Sequence, residues 1–125
     1  MNVSRNFVLA GTAFLIIGIS FGIHMSASGD TTFMPLHAHL NLLGFALSIL
    51  FALVYRSYDA MGASRLAVIH FWLHVVGAVV LLIMLFLFLG GTIGESGMVP
   101  LAPIAEFAIL IGVILFLFNA WKNAH

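Results

Sequence analysis

Six histidines in a chain of 125 residues carry most of its potential for chemistry. An imidazole can bind a metal ion or a haem iron, and it can exchange a proton near neutral pH. His37 and His39 are two residues apart, so on a helix their rings point to nearly opposite sides. His70 and His74 are four residues apart and would share one helix face. The sequence therefore offers a diverging pair and a same-face pair, with His24 alone near the end of the first apolar stretch and His125 at the C-terminus.

The two members of the diverging pair begin different rows along their helix. The row below His37 is polar or small, and we expect it to face other helices: Asn41, Gly44 and Ser48. The row below His39 is apolar: Leu42, Leu43, Ala46 and Leu50. An imidazole above a lipid-facing row would be poorly placed. We therefore expect both faces of this helix to be covered, either by neighbouring helices or by a cofactor.

Two kinds of ligand suit the outer group of histidines, His24, His37 and His39. Together with Met25 and Met34 they could bind copper, since imidazoles and thioethers are good ligands for Cu(I). Haem iron instead needs one or two axial histidines beside a large apolar slot, which the many Leu, Phe and Gly residues around this helix favour. The absence of cysteine excludes iron–sulfur clusters, thiolate zinc sites and covalent haem attachment.

The remaining ionisable groups inside apolar stretches have a simpler interpretation. Counted from Arg65, His70 and His74 lie roughly 7 and 13 Å deep in the membrane. These depths are measured from the surface away from His24, His37 and His39. We expect them to form hydrogen bonds to carbonyl groups of a neighbouring helix, with a proton path or a quinol contact as the alternative. Glu106 is the only carboxylate inside a stretch, and we expect it to be a hydrogen-bonded partner of one of the outer histidines.

The composition requires a membrane protein. Hydrophobic residues make up 63% of the chain and charged residues 6%, and the mean hydropathy is +1.22. Soluble domains are only about 45–50% apolar and about a quarter charged. With four basic and four acidic residues there is no surplus of positive charge for binding nucleic acid. Four stretches are long enough to cross a bilayer as helices: 7–25, 36–55, 66–89 and 101–121. The predicted fold is thus all-α, a single four-helix transmembrane bundle over residues 1–125.

The basic residues predict the orientation of this bundle. All of them fall on one side of the predicted membrane: Arg5, Arg56, Arg65 and Lys122. The positive-inside rule then places both termini in the cytoplasm, giving an N-in/C-in protein of the bacterial inner membrane. Tyr55, Tyr58 and Trp121 would form an aromatic belt at the inner boundary, and the three outer histidines would lie near the opposite surface.

Small residues mark the faces that should pack against other helices. Gly11, Gly18 and Gly22 lie on one face of the first helix, and Ala108 and Gly112 share a face of the fourth. Such residues allow close approach of helices in lipid, where packing drives association. We expect them to serve ordinary packing within the bundle.

One segment carries a family resemblance: His37-Ala38-His39-Leu40-Asn41-Leu42-Leu43-Gly44-Phe45, ending at Tyr55-Arg56. It resembles the tenth helix of the catalytic subunit of haem–copper oxidases, and is most similar to the nitric oxide reductase and high-affinity oxidase branches. In that family the first histidine of an H-x-H pair binds the high-spin haem and the second binds the low-spin haem, on opposite helix faces. A glycine follows the pair at the spacing of Gly44. The resemblance therefore implies that His37 and His39 are haem ligands and that Gly44 belongs to the cofactor site.

The same resemblance carries an implication for assembly. The family subunit has about twelve helices in three pseudosymmetric units of four. This chain therefore resembles one third of the subunit, and three copies in a closed ring would restore the twelve helices. The family's copper or non-haem iron ligands, on its other units, have no counterpart motif here. We therefore expect a homotrimer in which His37 of one chain faces His39 of the next. An intrachain site using His24 and one member of the pair is the alternative.

The expected function follows from these two features. A haem b site built from imidazoles points to electron transfer or to binding of a gas such as NO or O2, rather than to a complete oxidase or reductase. A respiratory redox partner is implied. Two other classes stay open: a non-catalytic assembly subunit of a respiratory complex, and a small transporter. The four-helix multidrug efflux proteins of similar size carry a buried glutamate in their first helix, which has no acidic residue here.

Overall fold

The computed structural model describes residues 1–125 and is all-helical. Four long helices are each apolar and long enough to cross a membrane, which confirms the four-span prediction: α1 (Val3–Ser28), α2 (Met34–Ser57), α3 (Arg65–Leu89) and α4 (Leu101–Asn123). At about 1.5 Å per residue even α4 exceeds the roughly 30 Å thickness of the hydrocarbon core. The chain is therefore a candidate multi-pass membrane protein, and each helix begins and ends within a few residues of its expected limits.

The helices alternate in direction, so the two chain termini share one end of the bundle. We call this the terminal end, and we call the opposite end, with the loops 29–33 and 90–100, the distal end. At the distal end Gly29 adopts a φ of 72° and its N–H donates to the carbonyl of Met25 at 2.9 Å, which closes α1. The side chain and backbone N–H of Thr32 then donate to Asp30, which holds the pKa of that carboxyl below its usual range. This compact turn leads directly into α2.

The helix α2 is not uniform, which corrects the expectation of one regular α-helix. Residues Leu40–Ala46 form a π-helix, whereas α-helix precedes them over Met34–His39 and follows over Leu47–Ser57. A π-helix closes its hydrogen bonds over five residues instead of four, and such segments are rare outside functional sites. This one begins at the residue after His39 and includes Gly44.

The close packing of α1 against α2 depends on glycine. A Cβ atom at Gly11 would lie 2.9 Å from the Cβ of Ser48, and one at Gly22 would lie 2.9 Å from Cε1 of His37. Between them, Gly18 faces Asn41. The small face of α1 therefore packs along the polar row of α2 within the chain, as the sequence predicts.

The other two helices form a second antiparallel pair. A Cβ atom at Gly112 of α4 would lie 3.1 Å from Cδ2 of His70, and one at Gly77 of α3 would lie 2.8 Å from Cγ1 of Ile109. The predicted packing role of Gly112 is thus confirmed. Buried side chains fall into two clusters, one in each half of the bundle. The cluster in the terminal half consists of Val3, Phe7, Phe51, Ala52, Tyr55, Met61, Ala67 and Phe71, and the distal cluster of Phe14, Leu36, Leu40, Ala78 and Leu82.

Candidate functional site

The ring of His37 is held between α1 and α2 in a defined tautomer. Its Nδ1 atom lies 2.7 Å from the carbonyl oxygen of Gly18. Because a carbonyl only accepts, Nδ1 carries the proton and donates it, so the neutral ring has a lone pair on Nε2. The amide nitrogen of Asn41 lies 3.4 Å from this Nε2 atom. The ring is half-buried and also borders an open groove with Ile19, Gly22, Ile23, Ser26 and Ala27.

The ring of His39 has the same tautomer on the other side of the helix. Its Nδ1 atom donates to the carbonyl of Pro35, one turn earlier, at 2.7 Å. The ring is exposed, and it lies at one end of an outward-facing groove of about 500 Å³ whose other lining residues are apolar: Ala38, Leu42, Leu43, Ala46, Leu47 and Leu50. The expected apolar row below His39 is confirmed, and a single chain leaves this face open.

The rings of His37 and His39 each have the hydrogen-bonding arrangement that is usual for a metal-ligating histidine. A histidine that ligates a metal usually donates its other ring N–H to a carbonyl or carboxylate, which fixes the ring orientation. Both His37 and His39 already make that bond through Nδ1 and carry the lone pair on Nε2, which makes no hydrogen bond in His39 and accepts from the amide of Asn41 at 3.4 Å in His37. Since the two rings open on opposite faces of α2, they suit two separate iron atoms and cannot both ligate one.

The other outer residues do not join this pair within one chain. His24 is exposed on α1 and does not border either groove. Met25 is buried, whereas Met34 is 48% exposed. No group of three or more His, Cys, Asp or Glu side chains is placed to hold a metal ion. One chain therefore does not assemble the three-histidine copper set.

Gly44 contacts a helix and not an open groove. It is buried, and a Cβ atom at this position would lie 2.6 Å from both Cβ and Cγ of Phe14. Its absent side chain allows α1 to approach the π-helical segment. In this structure Gly44 therefore serves packing next to His37, on the covered side of α2.

His70 and His74 are fully buried in the terminal half, among the rings of Phe7, Phe51 and Phe116. The Nε2 atom of His74 donates to the carbonyl of Leu43 at 3.1 Å, inside the π-helical segment. The expected hydrogen bond from this pair to a neighbouring helix is thus confirmed for His74, and the partner is the irregular part of α2. Nε2 of His70 and Nδ1 of His74 are buried with no hydrogen-bond partner.

Tyr55 lies in the core of the bundle, which corrects its expected place in the aromatic belt. It is only 2% exposed, and its hydroxyl lies 2.8 Å from Nδ1 of His70, so it belongs to the core and not to an aromatic belt. Tyr58 and Trp121 are exposed as expected. A signal was present: Tyr55 lies seven residues after Ser48 on the row that faces the bundle, whereas Tyr58 lies beyond the end of α2.

Glu106 does not pair with an outer histidine of its own chain. Its side chain is exposed on α4, whose buried residues are Ala102, Ala105, Gly112 and Asn119. None of the hydrogen bonds of His37, His39 or His74 involves a carboxylate. The expected contact is therefore not made within one chain, and the carboxylate faces away from the bundle.

Comparison with protein-family models, with curated proteins and with solved structures finds no match to this chain. Its function is therefore inferred from its own residues, above all from the Nε2 lone pairs of His37 and His39.

Proposed function

We propose that this protein binds haem b at the distal end of the bundle through His37 and His39, and that it transfers electrons when both hold one iron or binds a gas such as NO or O2 when only one does. The observation that supports this assignment is the shared tautomer, in which a backbone carbonyl holds Nδ1 of each ring and leaves the lone pair on Nε2, where an iron would replace the 3.4 Å contact of His37 with Asn41. Haem supplies an iron that exchanges one electron or takes a gas at an open axial position. The similarity of residues 37–56 to haem–copper oxidases supports the same ligand.

The open groove below His39 favours an assembly of several chains. Haem needs apolar walls on both of its faces, and one chain provides only one wall for this groove. Because the two rings diverge, the two histidines of one chain cannot hold the same iron, and a site with two histidine ligands can combine His37 of one chain with His39 of another. A closed ring of three chains provides three identical sites of this kind. We therefore propose a homotrimer.

The charge distribution supports the orientation. Arg5, Arg56 and Lys122 lie near the terminal end, and Arg65 begins α3 at the same end. By the positive-inside rule this end is cytoplasmic, and the distal end with its haem faces the outer side of a bacterial inner membrane. A respiratory redox partner would then approach from that side.

Electron transfer or gas binding suits the residues better than a complete oxidase or reductase. The chain contains no second set of grouped ligands and no pair of buried carboxylates. The described side chains therefore provide imidazoles for one kind of iron site, together with an apolar environment.

An absorption spectrum of the purified protein tests the proposal. We expect a Soret band and sharp α bands on reduction, a b-type pyridine haemochrome, and equal numbers of haems and chains. Addition of carbon monoxide to the reduced protein separates the two functions, since only an iron with an open axial position changes its spectrum. A colourless protein from cells that make ample haem would contradict haem binding. A haem-loaded monomer would contradict the interchain site, and a dimer would contradict the threefold ring.

A further inference from the structure

The carboxylate of Glu106 faces the surroundings of the bundle from within a membrane span. It is the only acidic residue in α1–α4, and it lies five residues after Leu101, about 8 Å along the helix from its distal end. An ionisable side chain at such a position is costly, and it usually faces a protein interior or a polar partner. Glu106 has neither within its own chain.

Glu106 begins an exposed stripe on α4. The stripe continues at positions 110, 113 and 117 with Leu110, Val113 and Leu117, which are 51%, 40% and 68% exposed. It lies on the side of α4 away from Ala105 and Gly112, which are buried against α3. This face of α4 is therefore without a partner inside the chain.

A matching stripe runs along α1. His24, Ser20, Ile17 and Ala13 are all exposed and follow the same spacing of four, three and four residues, read from the distal end. His24 lies four residues before Ser28, about 6 Å from the distal end of α1, so its depth matches that of Glu106. Aligned at that depth, Leu110 falls opposite Ser20 and Leu117 opposite Ala13. At these two levels a large residue on α4 thus meets a small one on α1, as close packing in lipid requires.

The chemistry distinguishes His24 from the other exposed histidine of the distal half. The one N–H of neutral His39 is donated to Pro35, and its free Nε2 atom cannot donate to a carboxylate. His24 makes no hydrogen bond in the chain and has an N–H to offer. Asp30, a carboxylate near His24 in its own chain, already accepts from Thr32. The basic side chains lie at the terminal end. His24 is thus the complementary group for Glu106.

We propose that Glu106 of one copy accepts a hydrogen bond from His24 of the next copy, and that the α4 stripe packs along the α1 stripe of that neighbour. Two different surfaces meet in this contact, so repeating it around an axis closes a ring when the rotation between neighbours fits a whole number of copies. The interface rests on the homo-oligomer of the proposed function but is independent of haem, because neither residue borders the groove of His37 or His39.

Disulfide cross-linking tests the contact directly, because the chain has no cysteine of its own. The double variant Glu106→Cys with His24→Cys should form dimers and trimers on a non-reducing gel after mild oxidation in membranes, and a reductant should remove them. Leu110→Cys with Ser20→Cys should do the same one turn deeper. The matched control is Phe107→Cys with His24→Cys, at nearly the same depth but on another side of α4, and it should stay monomeric on the gel.

Two results would overturn the interface. One is equal cross-linking in the Phe107→Cys control, which would indicate random collision. The other is strong cross-linking of Glu106→Cys alone, which would place α4 against α4 of the neighbour. An intact oligomer in which neither designed cysteine pair forms cross-links would overturn the interface as well.

A second measurement does not depend on the cysteine variants. Losing a hydrogen bond to a charged group should raise the concentration at which half of the detergent-solubilised protein dissociates by about 10–100-fold in Glu106→Ala. Glu95→Ala, in the loop, is the control and should leave that concentration unchanged. If dissociation is unaffected in Glu106→Ala, the contact does not exist. Haem content measured on the same samples separates the proposed interface from the proposed haem binding. A colourless protein that still cross-links would contradict haem binding but not the interface.

Discussion

The Nδ1 atom of His37 lies 2.7 Å from the carbonyl oxygen of Gly18, nineteen residues earlier in the chain. This contact joins α1 to α2. It fixes the ring proton on Nδ1, so the lone pair of the ring lies on Nε2. Gly22, one turn further along α1, leaves the space that the ring occupies. The helix that contains no ligand in the proposed site thus orients the ligand on its neighbour.

Haem binding should depend on the diverging pair of histidines. Replacing either His37 or His39 with Ala should remove the haem spectrum or convert it, because an axial ligand is lost. His70→Ala and His74→Ala should leave the spectrum nearly intact, since both rings are buried in the terminal half. Spectra and haem-to-chain ratios of the four purified variants provide the measurement. Wild-type haem content in both His37→Ala and His39→Ala would rule out the assigned ligands.

The stability of the bundle should depend on the missing side chain of Gly44. In Gly44→Ala the new methyl group meets Phe14, so either the rings or the helices must shift, and we expect a loss of about 1–3 kcal/mol in unfolding free energy. Gly94→Ala is the matched control, because a Cβ atom there meets nothing within 4 Å. Unfolding of both variants in mixed detergent micelles compares them, and equal stability would show that α1 does not approach α2 this closely.

The two tyrosines near the end of α2 should respond differently to loss of the hydroxyl group. Tyr55→Phe leaves Nδ1 of buried His70 without a partner, and it should destabilise the protein by about 1–3 kcal/mol. Tyr58→Phe should have no measurable effect, because Tyr58 is 40% exposed. Thermal unfolding of the two variants checks this. Similar midpoints would mean that Tyr55 lies at the membrane boundary after all.

Orientation can be read from two serines at opposite ends of the bundle. Ser28→Cys should react with a membrane-impermeant maleimide added outside intact cells, and Ser57→Cys should react only after the membrane is opened. Both side chains are exposed, and the chain has no competing cysteine. Labelling of position 57 from outside, with protection of position 28, would reverse the proposed topology.

Hydropathy and helical spacing were sufficient to predict the four spans, the polar row below His37 and the apolar row below His39, because these features depend on local periodicity. The tautomer of His37 was beyond such reasoning, since Gly18 on another helix determines it. The same holds for the π-helical segment, in which the carbonyl of Leu43 accepts a hydrogen bond from His74, thirty-one residues later. The sequence predicts that Glu106 pairs with an outer histidine but not in which chain, because spacing reports depth in the membrane and not which side of the bundle a helix occupies.

The π-helical segment Leu40–Ala46 determines the rotational phase of α2. Each five-residue hydrogen-bonded ring takes up one residue more than an α-helical turn would, so the two α-helical parts of α2 are out of phase. If residues 40–46 formed regular α-helix with no residue removed, the H-x-H end would turn by about 100° relative to Tyr55. His37 would then leave the carbonyl of Gly18 while the terminal half stayed packed. The directions of the two imidazoles therefore depend on the backbone hydrogen-bond pattern between them and the core, as well as on the side chains that surround them.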